Sequence, residues 1–152
     1  MLRDKLSHFE HELHWAKTVS SDETPSSGVD LQGYSAATVL VSIGALADSG
    51  GSPLENWEFK IQESDTSNSG FSEVDEDDLL LEYGKNDGSV SSGVFATVDA
   101  NEDELDENQN LTVGYIGSKR YIKIDAVANN SPGNTPIAVS VIKEALQKPQ
   151  AD

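Results

Sequence analysis

The three histidines are the first residues whose type and spacing could carry chemistry. His8, His11 and His14 are the only histidines among the 152 residues, and they stand three residues apart. On a helix, this spacing spans an arc of roughly 120°, so that two imidazoles could share a metal ion. In a strand the same residues would alternate between the two faces and could not converge. We predict that they are exposed polar residues of an N-terminal arm and do not form a metal site.

An acidic segment offers oxygen ligands at every second position, as a calcium-binding loop does. Asp99, Asn101 and Asp103 match the opening of such a loop. Glu104, however, stands where that loop needs glycine for a sharp turn, and Asn110 stands where it needs a bidentate glutamate. The pattern therefore fails as an EF-hand. A looser divalent-cation site stays open, with the candidate ligands Asp99, Asn101, Asp103 and Asp106.

Other catalytic constellations are missing from the sequence. The chain has no cysteine, no Gly-x-Ser-x-Gly segment and no histidine beyond position 14, so that a Ser or Thr nucleophile would lack a histidine base. The carboxylates stand in polar runs, whereas a glycosidase needs one acid in an apolar pocket. No glycine-rich turn opens a helix to hold a phosphate. We predict a protein that is not an enzyme and needs no cofactor.

Lys119 and Arg120 are the only adjacent basic pair, and they stand between Tyr115 and Tyr121. Two interpretations are open: the pair balances acids of the same molecule, or it contacts a partner. Tyrosine and arginine are common anchors of protein interfaces. The second interpretation predicts a contact surface made of Tyr115, Lys119, Arg120 and Tyr121.

The net charge of −17 comes from 27 acidic and 10 basic residues, and it is concentrated in the middle of the chain. Residues 62–110 contain 15 acids and one base. A protein that binds a phosphate backbone needs Lys and Arg to displace its counterions, so this chain would repel nucleic acid and an anionic membrane surface. We therefore predict neither as a partner, and we expect most of the carboxylates only to keep the surface solvated.

The elements that must position these residues are predicted to be strands. From Asp30 onward, short apolar alternations are separated by clusters of Gly, Asn, Asp, Ser and Pro, with almost no helical periodicity. These features predict an all-β, antiparallel sandwich of about eight strands, with a closed barrel as the alternative. The predicted strands are 13–19, 37–43, 57–61, 79–83, 94–98, 111–116, 121–127 and 137–142.

Gly117-Ser118 predicts a hairpin between two of these strands. A glycine in the first central position is what a two-residue type II′ turn requires, because φ is positive there. The interpretation makes strands 111–116 and 121–127 neighbours in one sheet.

The two ends are predicted to differ from the middle. The spacing of Leu2, Leu6, Phe9 and Leu13 would line one side of a short helix, whereas Leu13 also fits a strand with Trp15 and Val19. We predict an N-terminal arm over 1–12, the sandwich over 13–146 and a flexible tail over 147–152. The longest near-apolar run, 36–47, is too short to cross a bilayer, and nothing in the opening residues indicates a secretory signal.

Three segments carry a resemblance to a known family. Val29-Asp-Leu-Gln-Gly-Tyr34, the stretch 59–65 and above all Gly114-Tyr-Ile-Gly-Ser-Lys-Arg-Tyr121 resemble small virion proteins of tailed bacteriophages. Genes of that family lie near the gene of the major capsid protein, and its members are often described as head decoration or cement proteins. The likeness covers roughly 13–143. The histidines of the N-terminus and the acidic run 102–107 depart from it.

The resemblance implies a virion structural protein that is made in the host cytoplasm and stabilises the shell from the outer capsid surface. Its expected partners are the major capsid protein and neighbouring copies of itself. The net charge favours the outside of the head, because the inside is filled with DNA phosphates. Two alternatives are an acidic β-sandwich module that binds carbohydrates or cell surfaces, for which Tyr34, Trp57 and Tyr83 could supply aromatic rings, and a head-completion or tail component.

Overall fold

A computed structural model describes residues 9–46, 55–81, 92–99 and 109–145. These residues form two antiparallel sheets that face each other and do not close into a barrel, so the predicted sandwich is confirmed. None of the described helical segments is long and apolar enough to cross a membrane. The strands are β1 (Phe9–Val19), β2 (Val29–Asp30), β3 (Ala36–Ile43), β4 (Asn56–Ser64), β5 (Ser72–Glu73), β6 (Leu79–Leu81), β7 (Val94–Asp99), β8 (Gln109–Tyr115), β9 (Tyr121–Asn129) and β10 (Thr135–Glu144).

The first sheet has the strand order β1-β10-β3-β8-β6. Its strands alternate between buried and accessible residues, and Val39, Val41 and Val139 are among the residues that the inward face buries completely. β3 lies in the middle of the sheet, between β10 and β8, as the apolar residues on both of its faces predict. The last strand, β10, lies between β1 and β3, which come from the first third of the chain.

The second sheet has the order β2-β9-β4, and β5 and β7 share the other edge of β4. Trp57, Phe59 and Ile61 of β4 are fully buried against the first sheet, while the residues between them point outward. The indole Nε1 of Trp57 donates a hydrogen bond to Thr135 Oγ1 of β10 at 2.9 Å. This bond satisfies the polar atom of the largest core side chain and fixes the two sheets to each other.

The predicted hairpin at Gly117-Ser118 is wrong. β8 belongs to the first sheet and β9 to the second, so the segment 116–120 crosses from one layer to the other and does not join neighbouring strands. Gly117 has no positive φ. A Cβ atom there would lie 2.5 Å from the hydroxyl of Tyr115 and 2.6 Å from its Cζ. The glycine is required because a buried ring packs directly against the crossing segment.

The N-terminal strand begins at Phe9, so residues 9–12 of the predicted arm belong to the sandwich. Leu13 lies in this strand, as its spacing with Trp15 and Val19 predicts, and the alternative helix is not formed there. A bulge at His14 shifts the register between Leu13 and Trp15 against β10. The predicted tail, 147–152, and residues 1–8 lie outside the described residues.

The bulge turns His14 and Trp15 toward the free edge of β9. The indole of Trp15 donates to the carbonyl oxygen of Ile124 at 3.0 Å, and Nε2 of His14 accepts from the Ile124 amide at 3.4 Å. Backbone bonds with Glu23 satisfy Ala126 further along this edge. Side chains of β1 thus replace a missing strand, which protects an edge that would otherwise be open to pairing with another chain.

Candidate functional site

The three segments of the resemblance meet at one end of the sandwich. Arg120 binds Asp30 through two bonds, Nε to Oδ1 at 3.0 Å and Nη2 to Oδ2 at 2.7 Å. Lys119 Nζ lies 2.6 Å from Asp65 Oδ2. We call this set the end network, and it consists of Asp30, Glu63, Asp65, Tyr115, Lys119 and Arg120.

Tyr115 anchors the end network inside the fold. Its side chain is only 1% exposed; its hydroxyl donates to Glu63 Oε2 at 2.6 Å and accepts from the Lys119 amide at 3.1 Å. Burial, together with the hydrogen bond to Glu63, raises the pKa of this phenol well above its usual range. Because Tyr115 ends β8 and Glu63 lies in β4, their bond links the two sheets.

The predicted contact residues therefore come together, but not as one surface. Tyr115 faces the core and is not available to a partner. Lys119 and Arg120 keep 40% and 44% of their side chains exposed, and the guanidinium of Arg120 lies 5.0 Å from the ring centroid of the half-buried Tyr121. Both cations already bind acids of the same molecule, as the first of the two interpretations predicts. A contact with a partner through these cations and Tyr121 stays a prediction.

A cavity of about 370 Å³ lies beside the end network. Its lining contains hydroxyl, amide and charged groups, together with the apolar side chains of Leu31 and Ala36. Because Asp30 and Asp65 neutralise its two cations, the cavity suits a neutral polar ligand better than an anion. The polar and charged residues of the lining include Gln32, Tyr34, Ser35, Ser118, Lys119 and Arg120.

A second cluster, which the sequence analysis missed, surrounds Lys143. Lys143 is only 4% exposed, and its ammonium group lies 2.7 Å from Glu10 Oε1 and 2.9 Å from Glu12 Oε2. It also lies over the ring of Tyr34, whose hydroxyl bonds to Glu10. Burial alone would lower the pKa of Lys143, but its two carboxylate partners raise it above its ordinary value. The sequence does contain a signal for this cluster, because Lys143 occupies an inward position in the alternation of β10.

Only one of the four candidate metal ligands lies among the described residues. Asp99 ends β7 and is 2% exposed, while Asn101, Asp103 and Asp106 lie outside the described residues. Across the parts of the chain that the structure describes, no group of three or more potential ligands forms. His11 points outward and His14 points inward at the bulge, so these two do not converge. Trp57 belongs to the core, which removes it from the suggested aromatic platform with Tyr34.

Comparisons of the chain with protein-family models, curated proteins and solved structures find no match.

The bidentate pair at the end network can be tested by titration. The guanidinium of Arg120, aided by the amide of Gln32, holds the pKa of Asp30 at about 2. We expect the Arg120→Gln variant to raise this pKa toward its ordinary value, as measured by carboxyl-carbon NMR against pH. A Lys119→Gln variant is the control, because its amine pairs with Asp65; Asp30 should stay acidic there. An unchanged Asp30 in the Arg120→Gln variant would contradict the assignment.

Proposed function

We propose that this chain is a non-enzymatic structural protein of a tailed-phage particle, placed as a decoration protein on the outer surface of the head. Its partners are then the major capsid protein and neighbouring copies of itself. The proposal rests on the resemblance of the three segments and on one feature of the fold that supports it.

That feature is the convergence of the three segments at the end network. They are separated by up to 90 positions in the chain, and yet the 114–121 segment binds both of the others through Asp30–Arg120, Asp65–Lys119 and Glu63–Tyr115. Because these residues bind one another in the fold, a shared fold explains why the three motifs occur together in one sequence. The resemblance therefore involves residues that stabilise a single structure, which supports extending it from the short motifs to the whole fold.

The charge supports a position outside the head. A chain with a net charge of −17 would meet packed phosphates inside, whereas on the outer surface its acidic residues face solvent. Neighbouring copies on a lattice repel one another, so attachment needs a contact that does not depend on the acidic surface.

Particles of the phage whose genome encodes the chain provide the test. We expect the tagged protein to sediment with intact, DNA-filled heads in a copy number that approaches that of the major capsid protein, and an antibody to label it without opening the heads. A few copies per particle would place it at the tail or the head-completion site instead. Absence from the particle would overturn the proposal.

A second candidate is a carbohydrate-binding module, which the polar cavity beside Tyr34 favours. A sugar ring could use the hydroxyl and amide groups of the wall without needing a net charge. Titration of the isolated protein with a glycan panel distinguishes the two functions, because a decoration protein should show no saturable binding there.

A further inference from the structure

The outward face of the first sheet is nearly free of charge. Residues that pair across neighbouring strands lie on the same side of a sheet, so the register defines this face. Among its described residues, the ionisable groups are Glu144 at one end and His11. We call it the outer face, and it is made of Phe9, His11, Leu13, Ala16, Thr18, Ala36, Thr38, Leu40, Ser42, Leu80, Asn110, Thr112, Gly114, Pro136, Ala138, Ser140, Ile142 and Glu144.

The part of the edge strand β1 before the bulge has the opposite polarity to the one expected of a strand whose outward side meets water, whereas beyond the bulge Trp15 and Val19 point inward in the usual way. Phe9 and Leu13 point outward, and Leu13 is 61% exposed. Glu10 and Glu12 point to the inner side, where both carboxylates bind Lys143 while 50% and 41% of their side chains stay exposed. A strand that only had to pack on its own core would place these residues the other way round. The arrangement is explained if the outer face is covered.

The second sheet carries charged side chains on its outward side in the same chain. Its outward positions on β4 and β9 include the partly exposed Glu58 and Lys60 and the buried pair Lys123 and Asp125, whose Nζ and Oδ1 atoms lie 3.6 Å apart. The two sheets thus differ in their outward chemistry, although both bury a similar inner face. In a chain with a net charge of −17, a side with a single acid among its described residues is a specific feature and not a consequence of composition.

We propose that the outer face binds the same face of a second copy of this chain, so that two sandwiches stack through their first sheets. The occupant must be flat, uncharged and of similar area, since an acidic or basic partner would find no counter-charge here. The outer face itself meets these conditions. This pairing does not depend on where the protein resides.

The area is sufficient for such a pair. Strands β1, β10, β3 and β8, spaced about 4.8 Å apart with about eight paired residues each rising roughly 3.3 Å, present about 500 Å², and the short strand β6 adds about 50 Å². Standard interfaces bury about 800 Å² per partner, and crystal-packing contacts mostly less than about 400 Å². The acidic side chains on the other surfaces stay apart in this arrangement, which limits the repulsion between two like-charged chains.

The middle of the outer face also has a suitable shape. One cross-strand row consists of Leu13, Ser140, Leu40 and Thr112, in which large and small side chains alternate. Alternation of this kind lets two facing layers interdigitate without cavities. A two-fold axis through this row would place the leucines of one copy against the small residues of the other.

Sedimentation equilibrium of the full chain tests the pairing. The protein concentration is varied from about 1 µM to about 1 mM, which covers the range of ordinary dimer affinities. We expect a monomer–dimer equilibrium, and a Leu13→Lys or Leu40→Lys change should weaken the dimer about a hundredfold because each change counts twice across the axis. The added lysine lowers the net negative charge, so weaker association could not arise from increased repulsion. Higher salt should strengthen the wild-type dimer by screening.

The matched control is Val127→Lys, a similar change on the outward side of the second sheet, which should leave the dimer intact. Leu13 is mostly exposed, so the Leu13→Lys variant should keep the wild-type thermal melt, and loss of the dimer would then not reflect unfolding. A wild-type chain that stays monomeric, or a dimer broken by Val127→Lys and not by Leu13→Lys, would overturn the inference. Sedimentation with heads, measured separately, would still decide the proposed function.

Discussion

Replacing Gly117 by alanine should lower the free energy of unfolding by about 3 kcal/mol, at the upper end of the range for overpacked cores. The new Cβ would lie 2.5–2.7 Å from the Oη, Cζ and Cε2 atoms of Tyr115. The ring cannot move away easily, because it is buried and its hydroxyl is bound to Glu63 and to the Lys119 amide. Urea denaturation of the Gly117→Ala variant measures the loss.

A double-mutant cycle separates this clash from other effects of the added methyl group. In a Tyr115→Ala background the obstructing ring is gone, so the same Gly117→Ala change should cost almost nothing. Gly33→Ala is a second comparison: Gly33 has a φ of +88°, but nothing lies within 4 Å of its Cβ position, so only about 1 kcal/mol of backbone strain is expected. Equal losses at position 117 in both backgrounds would show that Tyr115 is not the cause.

Acid should destabilise the sandwich through His14. Burial lowers the pKa of this imidazole from 6.5 to about 4; the charge of Glu12 opposes this shift and the charge of Lys123 adds to it, both with smaller effects. The unfolded chain therefore binds the proton more readily than the folded one, and the stability contributed by the neutral imidazole is present above pH 6.5 and lost as the pH falls through 4. Between pH 7 and pH 4, the contribution amounts to about 3 kcal/mol.

Comparison of variants isolates this contribution from the carboxylates that titrate in the same range. Burial raises the pKa of Asp125, for example, which favours the folded state in acid and opposes the effect of His14. A His14→Gln variant keeps a possible acceptor for the Ile124 amide but has no imidazole to protonate, so its unfolding free energy should fall less between pH 7 and pH 4. His11→Gln should retain the wild-type slope, because its side chain points away from Ile124. Identical slopes in all three chains would contradict the role of His14.

Much of the fold could be predicted from alternation alone. Many of the strand segments of the described residues lie where apolar side chains recur at every second position, as in Trp57, Phe59 and Ile61, because a half-buried strand imposes that period directly on the sequence. The two short strands β2 and β5 escaped prediction, since a strand of two residues has no period. Whether the chain forms a hairpin at Gly117 or crosses there from one sheet to the other depends on packing against the ring of Tyr115. Local turn preferences contain no information about that contact.

The candidate site was harder to predict, because its pairs join distant positions. Lys119 and Arg120 were identified as a basic pair, but their partners Asp65 and Asp30 are 54 and 90 residues away in the chain, and one sequence contains no signal for such distances. Tyr115 is predicted to contact a partner together with Lys119 and Arg120, but its ring faces the core. To predict the cluster at Lys143, one would have had to place Glu10 and Glu12 of β1 on the inner side of the sheet. That placement runs against the usual rule that apolar residues point inward.

The position of β10 has a consequence for how the chain acquires its structure during synthesis. β1 and β3 are made early, but neither can pair on its shared side until β10, which supplies residues 135–144, has been made and inserted between them. Contacts between residues far apart in the chain form late and slowly, because a long loop must close first. β1 and the edge of β3 that faces β10 therefore stay unpaired until residues 135–144 have been made, so that completion of the first sheet, and of the outer face with it, must follow translation of β10.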